Sequence, residues 1–279
     1  MNEILVKSPA KINIGLNVIN KRNDGFHDLE TIFYPLNLYD EIRLTKSDIY
    51  SFNSNDETLN KEKTNLINKS KELLEHEFST HLPVKIFLNK NIPIGAGLGG
   101  GSSNAASTLI SLVKLFDLNI ENSHLSELAL KLGSDVPFFL NPIPSYAESR
   151  GEVLKPLKLK LDKYLLIVNP AIRVATKWAF GLIIPQKPKN SLSSLVGKSN
   201  IKIENVMSFV ANDFEGIVFE KFPEIKEVKE KMLFFGAEYS MMTGTGSTVW
   251  AMFDDEEAAY QTELYFKNMN YFTFIQNPI

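Results

Sequence analysis

Five of the seven residues from Gly95 to Gly101 are glycine, and Ser102 and Ser103 follow directly. Glycine loses more conformational freedom on ordering than any other residue, so such a run suits a backbone whose task side chains would obstruct. Turning N–H groups inward around an anion is such a task, because positive φ angles and missing Cβ atoms permit the close approach. After the loop, Ala105, Ala106, Leu109, Ile110, Leu112, Val113 and Phe116 predict a largely buried helix from Ser102 to Phe116. Its unpaired N-terminal donors and dipole would add to an anion site. The serine hydroxyls can reach a phosphate or a magnesium ion. A flexible linker would have polar flanks, whereas here a strand, Val84–Leu88, precedes and an apolar helix follows. No Gly-Lys-Ser/Thr closes the loop as in a Walker A motif, and no acidic residue follows at dinucleotide-fingerprint spacing. Pro93 to Ser103 therefore implies a bound phosphate and, alone, nothing further.

Other residues are ambiguous by themselves. Gly244-Thr245-Gly246-Ser247 reads as a second glycine turn, compatible with a simple hairpin. Asp135 lies in Gly133-Ser134-Asp135-Val136-Pro137, where an aspartate usually bonds to nearby backbone. Ile12, Ile14, Leu16 and Val18 alternate with Lys11, Asn13 and Asn17, which predicts a half-buried strand over 10–19 with Lys11 in solvent. His76, His81 and His124 lack ligand spacing and read as surface residues, and no histidine–carboxylate metal triad is visible.

The elements that must position these groups fit an α+β chain. A turn at Arg22–Gly25 leads to extended runs Thr31–Leu38 and Glu41–Thr45, read as an antiparallel meander, then a polar loop or edge region over 48–63. Helices are expected at Asn65–Phe78 and from a Ser123 cap to Leu132, ended by Gly133; Ser145–Leu157 and Tyr164–Asn169 read as extended. Pro185–Lys202 reads as a polar connector. Helices at 204–219, 223–235 and 255–268 and strands at Ala237–Met242, Thr248–Phe253 and Tyr271–Ile275 complete the second half. The 279 residues suit two modest domains, divided as 1–160 and 161–279. With no cysteine there are neither disulfides nor thiolate chemistry, and a net charge of −3 offers no global attraction to nucleic acid. The N-terminus does not read as a signal peptide, no apolar run reaches membrane-spanning length, and a cytoplasmic location is expected.

Taken together, Ser8-Pro9-Ala10-Lys11-Ile12-Asn13-Ile14, the Pro93–Ser103 loop and Met242-Thr243-Gly244-Thr245-Gly246-Ser247 resemble the three motifs of the GHMP kinases. Within that superfamily, Asp24-Gly25-Phe26-His27, Gly99 to Ala106, Gly133 to Phe138 and Gly151-Glu152 are similar to the kinases of 4-diphosphocytidyl-2-C-methyl-D-erythritol. The resemblance implies an N-terminal domain like ribosomal protein S5 domain 2, a ferredoxin-like α+β C-terminal domain, and ATP and substrate in a cleft between them. It implies transfer of the ATP γ-phosphate, with Mg2+, to the 2-hydroxyl of that small-molecule substrate, by a monomer or homodimer needing neither nucleic acid nor membrane.

It also distributes roles. Asp135 becomes the general base, with Lys11 paired to it and offsetting negative charge. Pro93, Gly95, Gly97, Leu98, Gly99, Gly100, Gly101, Ser102 and Ser103 hold ATP, with Lys90 on the nucleotide and Asn65 and Leu66 near adenine. Phe26, where the family commonly has tyrosine, stacks on cytosine, and His27 hydrogen-bonds it. Thr176 and Phe180 take the opposite side, Asn13 contacts substrate, and Gly244, Thr245 and Gly246 close over it. Taken alone, Lys90 reads as a surface lysine, and Leu66 and Phe180 as helix-core residues. Homoserine and mevalonate kinases, and a non-catalytic nucleotide binder, are the competing readings.

Overall fold

Strand β1 runs from Glu3 to Lys21 and β2 from His27 to Lys46 in the computed structural model, which describes residues 1–62 and 64–278. Both strands contribute to each of two compact units. Unit 1 holds Met1–Ala10, Asn37–Ile94 and Gly99–Pro142; unit 2 holds Lys11–Leu36, Gly95–Leu98 and Ile143–Ile279.

The meander read at 31–45 is instead part of the single strand β2. Leu36, Leu38, Asp40, Ile42 and Leu44 keep one inward alternation through the expected turn, and all are buried. In unit 1, β3 (Ser51–Ser54), α1 (Glu57–Lys61), α2 (Leu66–Phe78), β4 (Val84–Asn89), α3 (Gly100–Leu115) and α4 (Asn122–Leu132) follow. Strand β4 lies antiparallel to Glu41–Lys46 of β2 and parallel to β3. The stretch 48–63 thus carries an edge strand and a short helix, its residue 63 lying outside the described residues. Helix α3 packs on α2, α4 and the 3-10 turn Pro137–Leu140. It starts two residues before Ser102, with Gly99 as its N-cap, and Ile110 is exposed rather than buried. The N-cap of α4 is Glu121, not Ser123, whose hydroxyl instead donates to Glu121 at 3.4 Å; Gly133 ends the helix as expected.

Unit 2 adds β5 (Ser145–Ser149), β6 (Val153–Pro156), β7 (Tyr164–Asn169), α5 (Thr176–Leu182), α6 (Ile203–Met207), α7 (Phe214–Lys221), α8 (Pro223–Phe234), β8 (Tyr239–Met242), β9 (Val249–Phe253), α9 (Glu256–Asn268) and β10 (Phe272–Gln276). The extended run 145–157 is a hairpin, folded back at Ser149–Gly151, with β5 also pairing Leu29–Phe33 of β2. Among the described residues the other sheet runs β10-β7-β9-β8, all antiparallel, the order of a ferredoxin-like βαββαβ unit.

The helix read at 204–219 is broken between α6 and α7 because the backbone there pairs with β1. Leu16 N–H donates to Ala211 O at 2.8 Å and Asp213 N–H to Leu16 O at 2.9 Å. Leu16 and Val18 join Phe214, Val218, Val249, Phe253 and Phe266 in one apolar core. The connector 185–202 is also fastened down. Glu30, 1% exposed, accepts from Ser191 Oγ at 2.6 Å, Leu192 N–H at 3.1 Å and Asn17 Nδ2 at 3.0 Å.

Candidate active site

The inner stretch of β1 is not half-buried. Every residue from Ala10 to Val18 is buried, so Lys11, Asn13 and Asn17 lie inside rather than in solvent. Lys11 is 4% exposed; its Nζ donates to Asn13 Oδ1 at 2.6 Å and stands 4.8 Å from the Phe33 ring centroid. Burying an ammonium is costly, and the Asn13 carboxamide oxygen offsets part of that cost. Asn13 is held on all sides: Nδ2 donates to Thr31 Oγ1 (2.9 Å), its N–H to Thr243 Oγ1 (2.9 Å), and Trp250 Nε1 to its carbonyl (3.0 Å).

Thr243 opens the second glycine turn, which carries Gly244, Thr245 and Gly246 between β8 and β9. Asn212, 3% exposed, braces that turn by donating to the carbonyls of Met242 (2.7 Å) and Gly244 (2.9 Å). The first loop meets the second within unit 2. A Cβ on Gly97, whose φ is +79°, would stand 2.5 Å from Thr243 O and 3.2 Å from Gly246 O. The close approach therefore requires glycine. Leu98 contributes its carbonyl to Lys11 N–H at 3.0 Å, while Gly95 has open space around it.

The expected cytosine-site residues also gather in unit 2. His27 and Phe180 lie 5.2 Å apart, tilted by 35°, and Phe180 packs edge-on to Phe214 at 4.8 Å. Burial pushes the His27 imidazole below its ordinary pKa of 6.5, with Lys21 acting in the same direction. Phe26 is 49% exposed and carries the Arg150 guanidinium 4.5 Å from its ring centroid. Thr176, the first residue of α5, brings its hydroxyl to 3.3 Å from Thr245 Oγ1.

In unit 1 the loop becomes helix. Pro93 is half-buried, Gly99 caps α3, Gly100 and Gly101 form its first turn, and Ser102 is half-buried. Ser103 is fully buried and its Oγ accepts from Ser8 Oγ at 2.8 Å. Lys90 is no surface lysine: its side chain is 7% exposed and its Nζ meets Asp40 Oδ2 at 2.5 Å. Asn65 caps α2, accepting from Asn68 N–H at 2.9 Å, and Leu66 Cδ1 would lie 3.8 Å from a Cβ on Gly101. Asp135 is half-buried, in the turn between α4 and Pro137–Leu140. Among the described residues no cluster of three His, Asp or Glu side chains could hold a metal ion, and no helix is long and apolar enough to cross a membrane.

Sequence reasoning missed Asp40, Arg150 and Asn212. Asp40 had a signal: it occupies an inward position in the alternation Leu36, Leu38, Ile42, Leu44, and the mistaken turn at Tyr39–Asp40 hid it. Arg150 and Asn212 reach their partners from loops distant in sequence, for which periodicity carries no signal.

The GHMP kinases N terminal domain matches residues 65–141 and the GHMP kinases C terminal domain residues 198–271. A 4-diphosphocytidyl-2-C-methyl-D-erythritol kinase of Bacteroides fragilis is 41% identical over 254 residues, 89% of this chain and 91% of that protein. The chain belongs to the 4-diphosphocytidyl-2-C-methyl-D-erythritol kinase family of GHMP kinases. A crystal structure of a 4-(cytidine 5'-diphospho)-2C-methyl-D-erythritol kinase superposes with a TM-score of 0.82 at 30% identity, covering 98% of both chains. The mevalonate kinase of Methanococcus jannaschii, 14% identical, shares the GHMP kinase fold with a TM-score of 0.73, covering 99% of this chain and 98% of that one. GHMP kinases are ATP-dependent, and this chain is an ATP-using phosphotransferase of that family.

Proposed function

We propose that this chain transfers the γ-phosphate of ATP to the 2-hydroxyl of 4-diphosphocytidyl-2-C-methyl-D-erythritol. The observation that carries the reading is 41% identity, over 89% of the chain, to a kinase named for that substrate. The burial of Lys11 and the meeting of Gly97 with Thr243 support it independently. Asp135 takes the proton of the attacking hydroxyl, and Lys11, oriented by Asn13, offsets the negative charge that develops. Phosphoryl transfer needs alignment and charge compensation more than covalent help, which suits a site made of backbone N–H groups, a helix N-terminus and lysines.

Gly95 to Ser102 cradle the nucleotide phosphates, with Lys90 beside them and Asn65 and Leu66 toward the base. Ser103 supports the helix from inside, since its hydroxyl is engaged by Ser8. Phe26 stacks on cytosine, with neutral His27 and Phe180 at the same subsite. Thr176, Asn13 and the turn Gly244–Gly246 orient the rest of the acceptor. Mg2+ fits as an ion carried on the nucleotide phosphates with Ser102 near it, where it would neutralise phosphate charge. A cytoplasmic monomer or homodimer, with family domains divided near residue 160, completes the reading.

A coupled ADP-release assay tests it. Turnover is expected with the diphosphocytidyl acceptor, and none with homoserine or mevalonate. Turnover only with either of the latter sinks the substrate assignment. ATP binding without ADP formation, given the diphosphocytidyl acceptor, makes the chain a nucleotide binder instead.

A further inference from the structure

Asp40 sits at the centre of a buried polar cluster in unit 1 and has no task in the reaction described above. It is 0% exposed. Its Oδ2 accepts from Lys90 Nζ at 2.5 Å and from Asn104 Nδ2 at 2.9 Å; its Oδ1 accepts the N–H groups of Asn91 and Ile92, each at 2.8 Å. Asn104 also donates to Ser8 Oγ at 3.0 Å, and Ser8 donates to Ser103. One carboxylate thereby ties β2 to the segment entering the glycine loop and to the second turn of α3.

Stability alone does not call for this arrangement. Buried ion pairs are often matched or bettered by apolar residues of similar volume, and Asp40 occupies a strand face otherwise filled by leucine and isoleucine. What the carboxylate adds is location. A Cβ on Gly100, the first residue of α3, would stand 2.9 Å from Lys90 Nζ and 3.1 Å from Ile92 Cγ2. The ammonium is thus pressed against the start of α3, where the helix presents its unpaired N–H groups. A lysine stem left free would spread that charge over many rotamers.

We propose that Asp40 is a positioning residue of the nucleotide site, holding the Lys90 ammonium and the Asn91–Ile92 backbone against Gly100 so that cation and helix N-terminus face the ATP phosphates together. The inference rests on the ATP-dependent reading of this loop and extends it to a residue that does not itself touch nucleotide. The charged groups facing Lys90 are Asp40 from β2 and, farther off, Asp56 from the N-cap of α1; burial pushes the ammonium pKa down and both carboxylates hold it up. Removing the Asp40 charge lets Lys90 lose its proton at lower pH.

Steady-state kinetics on the full chain with both substrates test this. Asp40→Asn is expected to raise KM for ATP about tenfold, the scale of one charge-assisted hydrogen bond. KM for the acceptor and kcat should stay within about twofold, a split that general loosening of the fold would not give. The alkaline limb of kcat/KM for ATP should move to lower pH. Lys90→Gln should raise KM for ATP similarly and abolish that limb, and the double variant should be no worse than Lys90→Gln alone. An unchanged KM for ATP in folded Asp40→Asn, equal losses for both substrates, or multiplying losses in the double variant overturns the proposal. If Asp40→Asn does not fold, Lys90→Gln decides: a wild-type KM for ATP or a retained alkaline limb overturns it. A wild-type chain without ATP turnover sinks the kinase reading itself, whereas an active wild type with an unaffected Asp40→Asn sinks only this inference.

Discussion

Replacing Asp135 by Asn keeps the size and shape of the side chain in its turn and removes the charge that accepts a proton. With both substrates saturating, kcat is expected to fall about a hundred- to ten-thousand-fold, the usual range for losing a positioned acid or base. KM values should move little, and turnover near wild type would remove Asp135 from the chemistry. His27 makes a second expectation. Burial holds its folded-state pKa below 6.5, so the ring is neutral at pH 7 and gains a proton only in the acid range. A depressed histidine pKa means that the unfolded chain binds the proton first. Its contribution to stability is therefore full above 6.5 and is lost as pH falls toward the folded value. KM for the acceptor should be flat above neutrality and rise below pH 6.5, and His27→Asn should flatten that rise. At this scale residue identity was readable, but environment was not. Lys11 and Lys90 look like surface lysines to any periodicity argument, because the partners that let them be buried, Asn13 and Asp40, act through space.

Elements were legible where one physical cause dominated. The apolar face of α3, the Asp255-capped α9 and the proline-led α8 follow their local signals closely. Elements failed where tertiary pairing overrode local preference. Residues 208–213 leave a helical pattern because β1 offers Leu16 as a backbone partner, and β2 runs through an expected turn because its inward face never breaks. The meeting of the two glycine segments belongs to this scale. Gly97→Ala places a Cβ 2.5 Å from Thr243 O in a left-handed backbone. The strain predicts a loss on the order of 1–3 kcal/mol. Thermal melting should read that loss, and turnover should fall with it, because Thr243 also holds Asn13. A melt and a rate equal to wild type would mean that the two turns separate freely.

Over the whole molecule, the two-domain expectation and the compact units divide the chain differently. Leu16 and Val18 belong to the same apolar core as Phe214, Val249 and Phe266. A fragment of residues 161–279, made alone, is therefore expected to lack native near-UV dichroism and to aggregate. Adding residues 11–36 should improve its order, and a cooperative melt of 161–279 by itself would contradict the unit assignment. Composition revealed none of this, since pairing between residues some two hundred apart leaves no local trace.

Strand β1 also sets a schedule for synthesis. It leaves the ribosome before the strands it will meet, and Asn13 finds Thr243 and Trp250 only after a further 230 and 237 residues have been made. At about 5–20 residues per second that interval lasts roughly 10–50 s. Throughout it, the nascent strand carries a lysine and two asparagines, and the Thr243 hydroxyl and Trp250 indole that Asn13 will meet do not yet exist. Those polar residues, costly inside the finished protein, keep the waiting strand soluble until its partners arrive.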